Sequence, residues 1–223
     1  MGRLAVILGS GAAGPGGAEI VAAAERHAVV TQRHGAAGAY VLPHAIDHGA
    51  NLRPLADAGC DRVLAVCSVG SLYAGLGVGS FVCPHDFIAL QATVTTFDDP
   101  RGHATPGFDP AWRERVLAGW SESAAGELRD GGVYWQTNGP RFETPAEIRL
   151  IAAHADLIGM TLASECVVAG ELGLAYAAVC VVDNLANGVA PHPLSPAEID
   201  RDRERNAVRL RDDLAAALPE LAL

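Results

Sequence analysis

The feature that most constrains the fold of this chain is an alternation along its length. Short β-branched apolar runs alternate with longer stretches whose apolar residues recur at helical spacing. This alternation is typical of an α/β domain and not of a β-sandwich or a helical bundle. The chain has 223 residues, half of them apolar, which suffices for one substantial core and leaves little room for a second. We therefore expect a single α/β domain over residues 1–223, with a mixed central β-sheet flanked by helices.

Seven segments are predicted as strands and five as helices. The strands are Leu4–Leu8, Ala28–Thr31, Arg62–Cys67, Phe81–Pro84, Gly132–Gln136, Leu157–Gly159 and Tyr176–Val182. The helices are Ile46–Ala58, Pro110–Ser123, Thr144–His154, Leu162–Leu172 and Pro196–Leu218. Thr144 before Pro145 predicts an N-capped helix start, and Ser195 before Pro196 repeats that arrangement. The Gly- and Pro-containing stretches Gly9–Gly17 and Asp98–Pro110 are predicted as loops.

Charge and composition exclude several classes of protein. The formal net charge of −10 disfavours binding to nucleic acid or to an anionic membrane, because both require a basic surface. The N-terminal apolar run is too short for a signal peptide. Five cysteines without a paired or metal-binding spacing predict buried thiols and no metal site. We therefore expect a cytoplasmic protein that needs a local set of donors to bind any anionic small molecule.

Three short polar segments follow predicted strands and point to a shared anion site. They are Gly9–Gly11, Arg33–Gly35 and Cys67–Ser71. The carboxyl ends of strands in an open α/β sheet are where ligands bind, and an Arg can clamp phosphate oxygens with two parallel hydrogen bonds. Each segment alone is equally compatible with a plain turn. Together they place Ser10, Arg33, His34 and Ser68 at neighbouring strand ends.

A segment with different chemistry, Gly139–Glu147, lies between a predicted strand and a predicted helix. Its Phe142 ring can stack on a flat heterocycle while the Glu143 carboxylate accepts N–H bonds. The alternative is that Phe142 belongs to the core and that Glu143 only stabilises the helix N-terminus.

Two further polar segments follow predicted strands later in the chain, Gly159–Thr161 with Glu165 and Asp183–Gly188. An Asn at the end of a buried strand can make two directed hydrogen bonds, although Asn-rich turns are also common as plain loops.

Taken in order, these segments resemble the trimeric purine nucleoside phosphorylase and methylthioadenosine phosphorylase family from about Gly9 to Gly188, most specifically at Gly139–Glu147 followed by Gly159–Thr161 and Glu165. The resemblance implies a nucleoside phosphorylase-like fold, a homotrimer, inorganic phosphate as co-substrate and no cofactor. It implies that phosphate is bound by Ser10, Arg33, His34, Ser68 and Thr161. It implies catalytic contacts to the purine from Glu143 and Asn184, a ribose contact from Met160, and a substrate site completed by Val69, Gly70, Phe142, Gly159 and Ala186.

The chain departs from the family pattern at three places. The segment between Ser10 and Arg33 is shorter than in typical members, and Ser164 stands where a Pro usually precedes Glu165. Residues after Gly188, including His192, match nothing in the pattern. The stretch 43–51 looks more like the methylthioadenosine branch.

The choice of base depends on Glu143. A 6-oxopurine carries a hydrogen on N1 that a carboxylate accepts, whereas adenine N1 is a lone pair that it repels. We therefore expect inosine, guanosine or methylthioinosine to be preferred over adenosine. An adenine-specific member is expected to carry Asp where Asn184 stands, and Asp183, one position earlier, leaves methylthioadenosine open as a substrate. A nucleosidase that uses water and a non-catalytic purine-binding protein are the remaining alternatives.

Overall fold

The structure is a computed structural model that describes residues 2–10, 17–35, 40–190 and 195–223. Within these ranges it contains a nine-stranded mixed sheet flanked by α-helices. The strands are β1 (Arg3–Leu8), β2 (Val29–Gln32), β3 (Cys60–Ser71), β4 (Phe81–Cys83), β5 (Asp86–Ile88), β6 (Leu128–Asp130), β7 (Val133–Gln136), β8 (Leu157–Gly159) and β9 (Ala175–Leu185). The helices are α1 (Gly17–Glu25), α2 (His48–Asp57), α3 (Pro110–Ser123), α4 (Pro145–Ile151), α5 (Leu162–Glu171) and α6 (Pro196–Leu221). No helix in the described ranges is both long and apolar enough to cross a membrane.

Strand β3 is the centre of the sheet and pairs with three other strands. It runs parallel to β9 along nearly its whole length and parallel to β1 over its first half, and β1 also carries β2 in parallel. Strand β8 runs antiparallel to the end of β3 and leads on to β7 and β5. The carboxyl ends of β1, β2, β3 and β9 therefore meet at one edge of the sheet.

Both faces of the central strands are covered by helices. Along β3, Val63 and Ala65 face one core and Leu64 and Val66 face the other. The first core is closed by residues of α2 and α5, and the second by residues of α1, α3 and α6. Burial on both faces explains why the central strands are continuous apolar runs without alternating polar residues.

All of the predicted strands and helices are present, with ends shifted by up to a few residues, but three elements were missed. Strands β5 and β6 have three residues each, and Asp86 in β5 and Arg129 and Asp130 in β6 leave no apolar run from which a strand could be predicted. Helix α1 was not predicted and begins at Gly17, inside the predicted loop Gly9–Gly17. Residues 11–16 of that loop lie outside the described part of the chain. The predicted loop Asp98–Pro110 contains a short 3-10 helix, Pro100–His103, and Pro110 begins α3.

The two predicted helix caps differ in how they are made. The Thr144 hydroxyl accepts from the Glu147 N–H while the Glu147 carboxylate accepts from the Thr144 N–H, so a full capping box begins α4. Ser195 precedes α6 as predicted, but its side chain makes no cap hydrogen bond. Its backbone carbonyl instead accepts from the first turn. The Ser195 cap was therefore correct in position and wrong in mechanism.

Candidate functional site

A cavity of about 250 Å³ opens at the edge of the sheet where the parallel strands end, and it is lined by every residue that the sequence singled out as a site residue. Ser10 follows β1, Arg33 and His34 follow β2, and Ser68 lies in β3. Thr161 directly precedes α5 and completes the group that we predicted to bind phosphate. Strand β8 brings Thr161 there because it runs antiparallel to the end of β3.

The segment Cys67–Ser71 is strand and not the turn that we expected. Strand β3 continues to Ser71 because its last residues pair with β9 on one side and β8 on the other. Ser68 therefore reaches the cavity from within the sheet, and Val69 and Gly70 form its wall. A Cβ at Gly70 would lie 3.1 Å from the Asn184 side-chain nitrogen, so a larger residue would crowd that amide.

The guanidinium of Arg33 is buried and bound to a carboxylate of the protein. Its Nε and Nη2 each donate to Glu165 at 2.7 Å, and its Nη1 donates to the Val66 carbonyl at 3.1 Å. Glu165 is fully buried and also accepts from the Tyr176 hydroxyl at 2.5 Å. Burial alone would raise the pKa of Glu165, but the charge and hydrogen bonds of Arg33 outweigh it and lower that pKa. The two parallel bonds that we predicted Arg33 would give to phosphate are thus made to Glu165.

Gly9 is the residue that lets Arg33 lie this close to the end of β1. An added Cβ there would be 2.5 Å from Arg33 Nη1 and 2.9 Å from the Val66 carbonyl oxygen. Both distances are shorter than real Cβ contacts, so any larger side chain would displace the guanidinium. We expected Gly9 as part of an anion-binding turn. In the structure it is needed because only a glycine leaves room for the buried Arg33 guanidinium.

His34 is a neutral acceptor at the same end of the cavity. Burial is the main cause that lowers the pKa of His34. Its Nδ1 lies 2.8 Å from the Val41 carbonyl, which can only accept, so we assign the proton to Nδ1 and the lone pair to Nε2. The imidazole stacks on Tyr40 with ring centroids 4.7 Å apart, which restricts its orientation.

At the other end of the cavity the Glu143 carboxylate is held in place. Its Oε1 accepts from the Thr137 hydroxyl at 2.5 Å, and its backbone carbonyl accepts from Asn187 Nδ2 at 2.8 Å. Only 8 % of Glu143 is exposed, whereas Phe142 is 45 % exposed. Phe142 is therefore not a core residue. One oxygen of Glu143 is engaged by Thr137, which leaves Oε2 as its acceptor for a ligand.

A β-bulge in β9 determines which of Asp183 and Asn184 faces the cavity. Val182 pairs with Val69, but the next pair is Asn184 with Gly70, so Asp183 is the extra residue. A bulge re-aims the side chains beside it. Asn184 lines the cavity. Asp183 instead accepts from Asn206 of α6 at 2.7 Å, and burial raises the pKa of Asp183.

The two most specific sequence segments are packed against each other. Gly139 has a φ of +62°, and a Cβ there would lie 2.5 Å from the Met160 sulfur, so Met160 covers the turn that carries Phe142. Gly188 has a φ of +86°, and a Cβ there would lie 3.0 Å from Pro145 at the start of α4. Gly159 and Ala186 also line the cavity. The segments after β7, β8 and β9 therefore form one wall.

Ser164, where the sequence departs from its family pattern, is tied to β7. The Ser164 hydroxyl accepts from Gln136 Nε2 at 2.6 Å, and the Ser164 N–H donates to Gln136 Oε1 at 3.0 Å. A Pro at this position has no N–H to donate. Ser164 in place of Pro therefore allows a reciprocal pair of hydrogen bonds with Gln136, which holds α5 against the sheet.

Several lining residues were missed by the sequence analysis. Tyr40 lines the cavity and stacks on His34. Asn187, in the segment Asp183–Gly188, also lines it and donates to the Glu143 carbonyl. Thr137 does not line this cavity but holds the Glu143 carboxylate. Arg203 comes from α6 and lines the cavity beside Ser68. Nothing in its helical surroundings distinguishes it from the other charged residues of α6. His192 lies outside the described residues.

Comparison with known proteins identifies related sequences. A model of the phosphorylase superfamily matches residues 10–219. A probable 6-oxopurine nucleoside phosphorylase of Archaeoglobus fulgidus is 41 % identical over 165 residues, covering 74 % of this chain and 68 % of that protein. A probable S-methyl-5'-thioinosine phosphorylase of Methanothermobacter thermautotrophicus is 36 % identical over 181 residues, covering 80 % of this chain and 64 % of that protein.

Solved structures share the fold at lower identity. The methylthioadenosine phosphorylase of Schistosoma mansoni in complex with adenine superposes with a TM-score of 0.80 at 20 % identity, covering 98 % of this chain and 91 % of that chain. A double mutant of the adenosine/methylthioadenosine phosphorylase from the same organism, also with adenine, gives a TM-score of 0.81 at 21 % identity, with 98 % and 91 % covered. At this identity the likeness establishes the fold alone, and it confirms the predicted mixed-sheet α/β class.

Proposed function

The chain belongs to the phosphorylase superfamily, and on that premise we propose that it cleaves 6-oxopurine nucleosides with inorganic phosphate. The substrates are inosine, guanosine or methylthioinosine, and the products are the free base and a sugar 1-phosphate. The observation that carries the proposal is one cavity that is lined both by Glu143 and Asn184 and by His34, Ser10 and Ser68. The 6-oxopurine relative at 41 % identity supports the same choice.

Phosphate has two tasks in this reaction. Breaking the N-glycosidic bond develops positive charge on the sugar and negative charge on the leaving purine. A phosphate held below the sugar by Ser10, Ser68 and Thr161 stabilises the oxocarbenium-like carbon, and its oxygen then bonds to C1′. With its lone pair on Nε2, neutral His34 accepts a hydrogen bond from a protonated phosphate oxygen.

The leaving purine is stabilised at the opposite end of the cavity. Asn184 donates to N7 as that atom gains electron density, and Glu143 Oε2 accepts from N1–H of a 6-oxopurine. The Thr137 hydroxyl holds Glu143 Oε1, so the carboxylate is oriented before the base arrives. Preorganised groups of this kind lower the barrier because they need no rearrangement during the reaction.

The first test separates phosphorolysis from hydrolysis. Purified protein with inosine is expected to release hypoxanthine and ribose 1-phosphate only when phosphate is present, measured by chromatography of both products. The same incubation in phosphate-free buffer is the control. Free ribose in that control would identify a nucleosidase instead, and binding of hypoxanthine without any product would identify a non-catalytic purine-binding protein.

Methylthioadenosine phosphorolysis is the second candidate function. It rests on the stretch 43–51, which resembles the methylthioadenosine branch of the family. The Schistosoma mansoni structures that share the fold are of adenosine/methylthioadenosine phosphorylases. The placement of Asn184 in the cavity and of Asp183 against α6 favours the 6-oxopurine reaction over it.

We also propose a cytoplasmic, single-domain protein that forms a homotrimer and binds neither nucleic acid nor membranes. Leu90 is 81 % exposed and Leu150 is 66 % exposed, and both line a second cavity with Trp135 beside the segment that carries Glu143. Exposed apolar side chains of this size are typical of subunit interfaces. Sedimentation equilibrium is expected to give three times the mass of 23.1 kDa, and a monomer would contradict the trimer.

A further inference from the structure

The phosphate end of the cavity has less free positive charge than its sequence suggests. Arg33 and Glu165 form a buried ion pair whose charges cancel. His34 is neutral near pH 7, because burial above all lowers its pKa. Tyr134 accepts the N–H groups of Thr161 and Leu162 at 3.3 and 3.4 Å, so these amides at the start of α5 are already engaged. A phosphate anion placed here therefore needs a further cation.

Arg203 is the other cation that lines the cavity within the described residues. Its Nε lies 3.4 Å from Ser68 Oγ, and its side chain is 32 % exposed. Its charge also acts on His34. Burial is the main cause of the lowered pKa of His34, and the positive charge of Arg203 lowers that pKa further. Asp183 and Asp200 each lie 3.7 Å from its guanidinium, which is an ion-pair distance beyond a normal hydrogen bond. Its N–H groups are therefore poised for a stronger acceptor.

We propose that Arg203 binds the phosphate co-substrate together with Ser68, an inference that rests on the proposed phosphorolysis. Charge-assisted hydrogen bonds from a guanidinium to phosphate are short and strong. Arg33 is held by Glu165 at 2.7 Å, whereas the pairs of Arg203 with Asp183 and with exposed Asp200 are 3.7 Å long, so Arg203 can turn its N–H groups to phosphate. The C-terminal helix α6 thus contributes a ligand to a site otherwise built from strand ends.

Asp183 acts as the positioning residue for Arg203. Its buried carboxylate accepts from Asn206 Nδ2 at 2.7 Å. In the empty cavity it also accepts from the Ser68 hydroxyl, which turns its proton to phosphate when the anion is bound. The Asn206 bond joins the bulge in β9 to α6 one turn after Arg203, and the Ser68 bond joins the bulge to β3. They hold the guanidinium beside Ser68 while Asp183 offsets part of its charge, so the arginine stays ordered when the cavity is empty.

The test compares Arg203→Met with Arg201→Met, which removes the same charge from an exposed position on the same helix. For Arg203→Met, the KM for phosphate is expected to rise about 10- to 150-fold, as for the loss of hydrogen bonds to a charged group. The KM for inosine is expected to change less than about twofold, because Arg203 lies beside Ser68, which we assign to phosphate and not to the base. Arg203→Lys restores part of the phosphate affinity, since the lysine retains the charge.

Thermal unfolding with and without inorganic phosphate separates this inference from the proposed reaction. Phosphate is expected to raise the Tm of the unmodified protein and of Arg201→Met, and to have little effect on Arg203→Met. That pattern supports the inference even if no nucleoside is cleaved, in which case only the proposed reaction fails. Equal phosphate KM values and equal phosphate-induced Tm shifts in the two variants would overturn it. A second result would also overturn it. If Arg203→Met has a lower Tm without phosphate and its KM values for phosphate and for inosine rise equally, Arg203 has a structural role.

Discussion

With phosphate present, the purified protein is expected to cleave inosine with a kcat/KM at least about 10⁴-fold higher than that for adenosine. The reason is the fixed Glu143 carboxylate, which accepts N1–H of a 6-oxopurine and faces a lone pair on adenine. Its burial leaves little water to compensate the repulsion. Initial rates over a range of inosine, methylthioinosine, adenosine and methylthioadenosine concentrations measure the ratio. Faster cleavage of adenosine or methylthioadenosine would contradict the assignment of the base site.

A substitution of Glu143 by Gln isolates the cause. The amide can donate to adenine N1 as well as accept from N1–H, so the preference for inosine is expected to fall by about 100-fold or more. Glu147→Gln is the matched control, because Glu147 lies outside the purine cavity and glutamine also serves in a capping box. A ratio that is unchanged in Glu143→Gln would show that another group selects the base.

The fold and the convergence of the strand-end residues on one cavity were predictable because parallel strands place their carboxyl ends at one edge. The residues after β1 and β2, Ser10 and Arg33, follow short β-branched apolar runs that are typical of strands. Their convergence on one cavity then follows from the parallel pairing of β1 with β2 and β3. The missed strands β5 and β6 have three residues each and contain charged residues, so neither forms an apolar run. Strands β4 and β8 are as short but contain no charged residue, and both were predicted.

Contacts between distant segments could not be predicted in this way. The pairing of Arg33 with Glu165 joins residues 132 positions apart, and both are residue types that also bind ligands. The bulge that turns Asp183 toward α6 depends on strand register, which the pattern of apolar residues in β9 leaves open by one position. Arg203 carries no local signal because α6 is rich in charged residues. In each case the prediction would have needed the contacts between elements that are distant in the sequence.

Replacing Arg33 by Met is expected to lower the free energy of unfolding by about 3–5 kcal/mol at pH 7, because it leaves Glu165 buried without its cation. Both oxygens of Glu165 accept from Arg33 at 2.7 Å, and among the described residues Tyr176 is the donor that remains. Urea unfolding followed by circular dichroism measures the change. A loss below about 1 kcal/mol would mean that Glu165 is not held as a buried carboxylate.

The dependence on pH is expected to reverse in this variant. In the unmodified protein the pKa of Glu165 is lowered below its ordinary value, so its contribution to stability is present at neutral pH and is lost as the pH falls through the folded-state pKa. Without Arg33, burial raises the pKa of Glu165. The folded state then binds the proton more tightly, and stability is lost as the pH rises. The deficit of Arg33→Met is therefore expected to be smaller at pH 5 than at pH 7.

The double variant Arg33→Met/Glu165→Gln separates the stability of the pair from its role at the site. The amide keeps an acceptor for Tyr176 and removes the buried charge, so most of the lost stability is expected to return. Arg33 lines the cavity, and its N–H groups that are not bonded to Glu165 or Val66 remain able to contact phosphate. Arg33→Met is therefore also expected to weaken phosphate binding, and the double variant is not expected to restore it. If the double variant is as unstable as Arg33→Met, the cost lies in the cavity left by the guanidinium and not in the uncompensated charge.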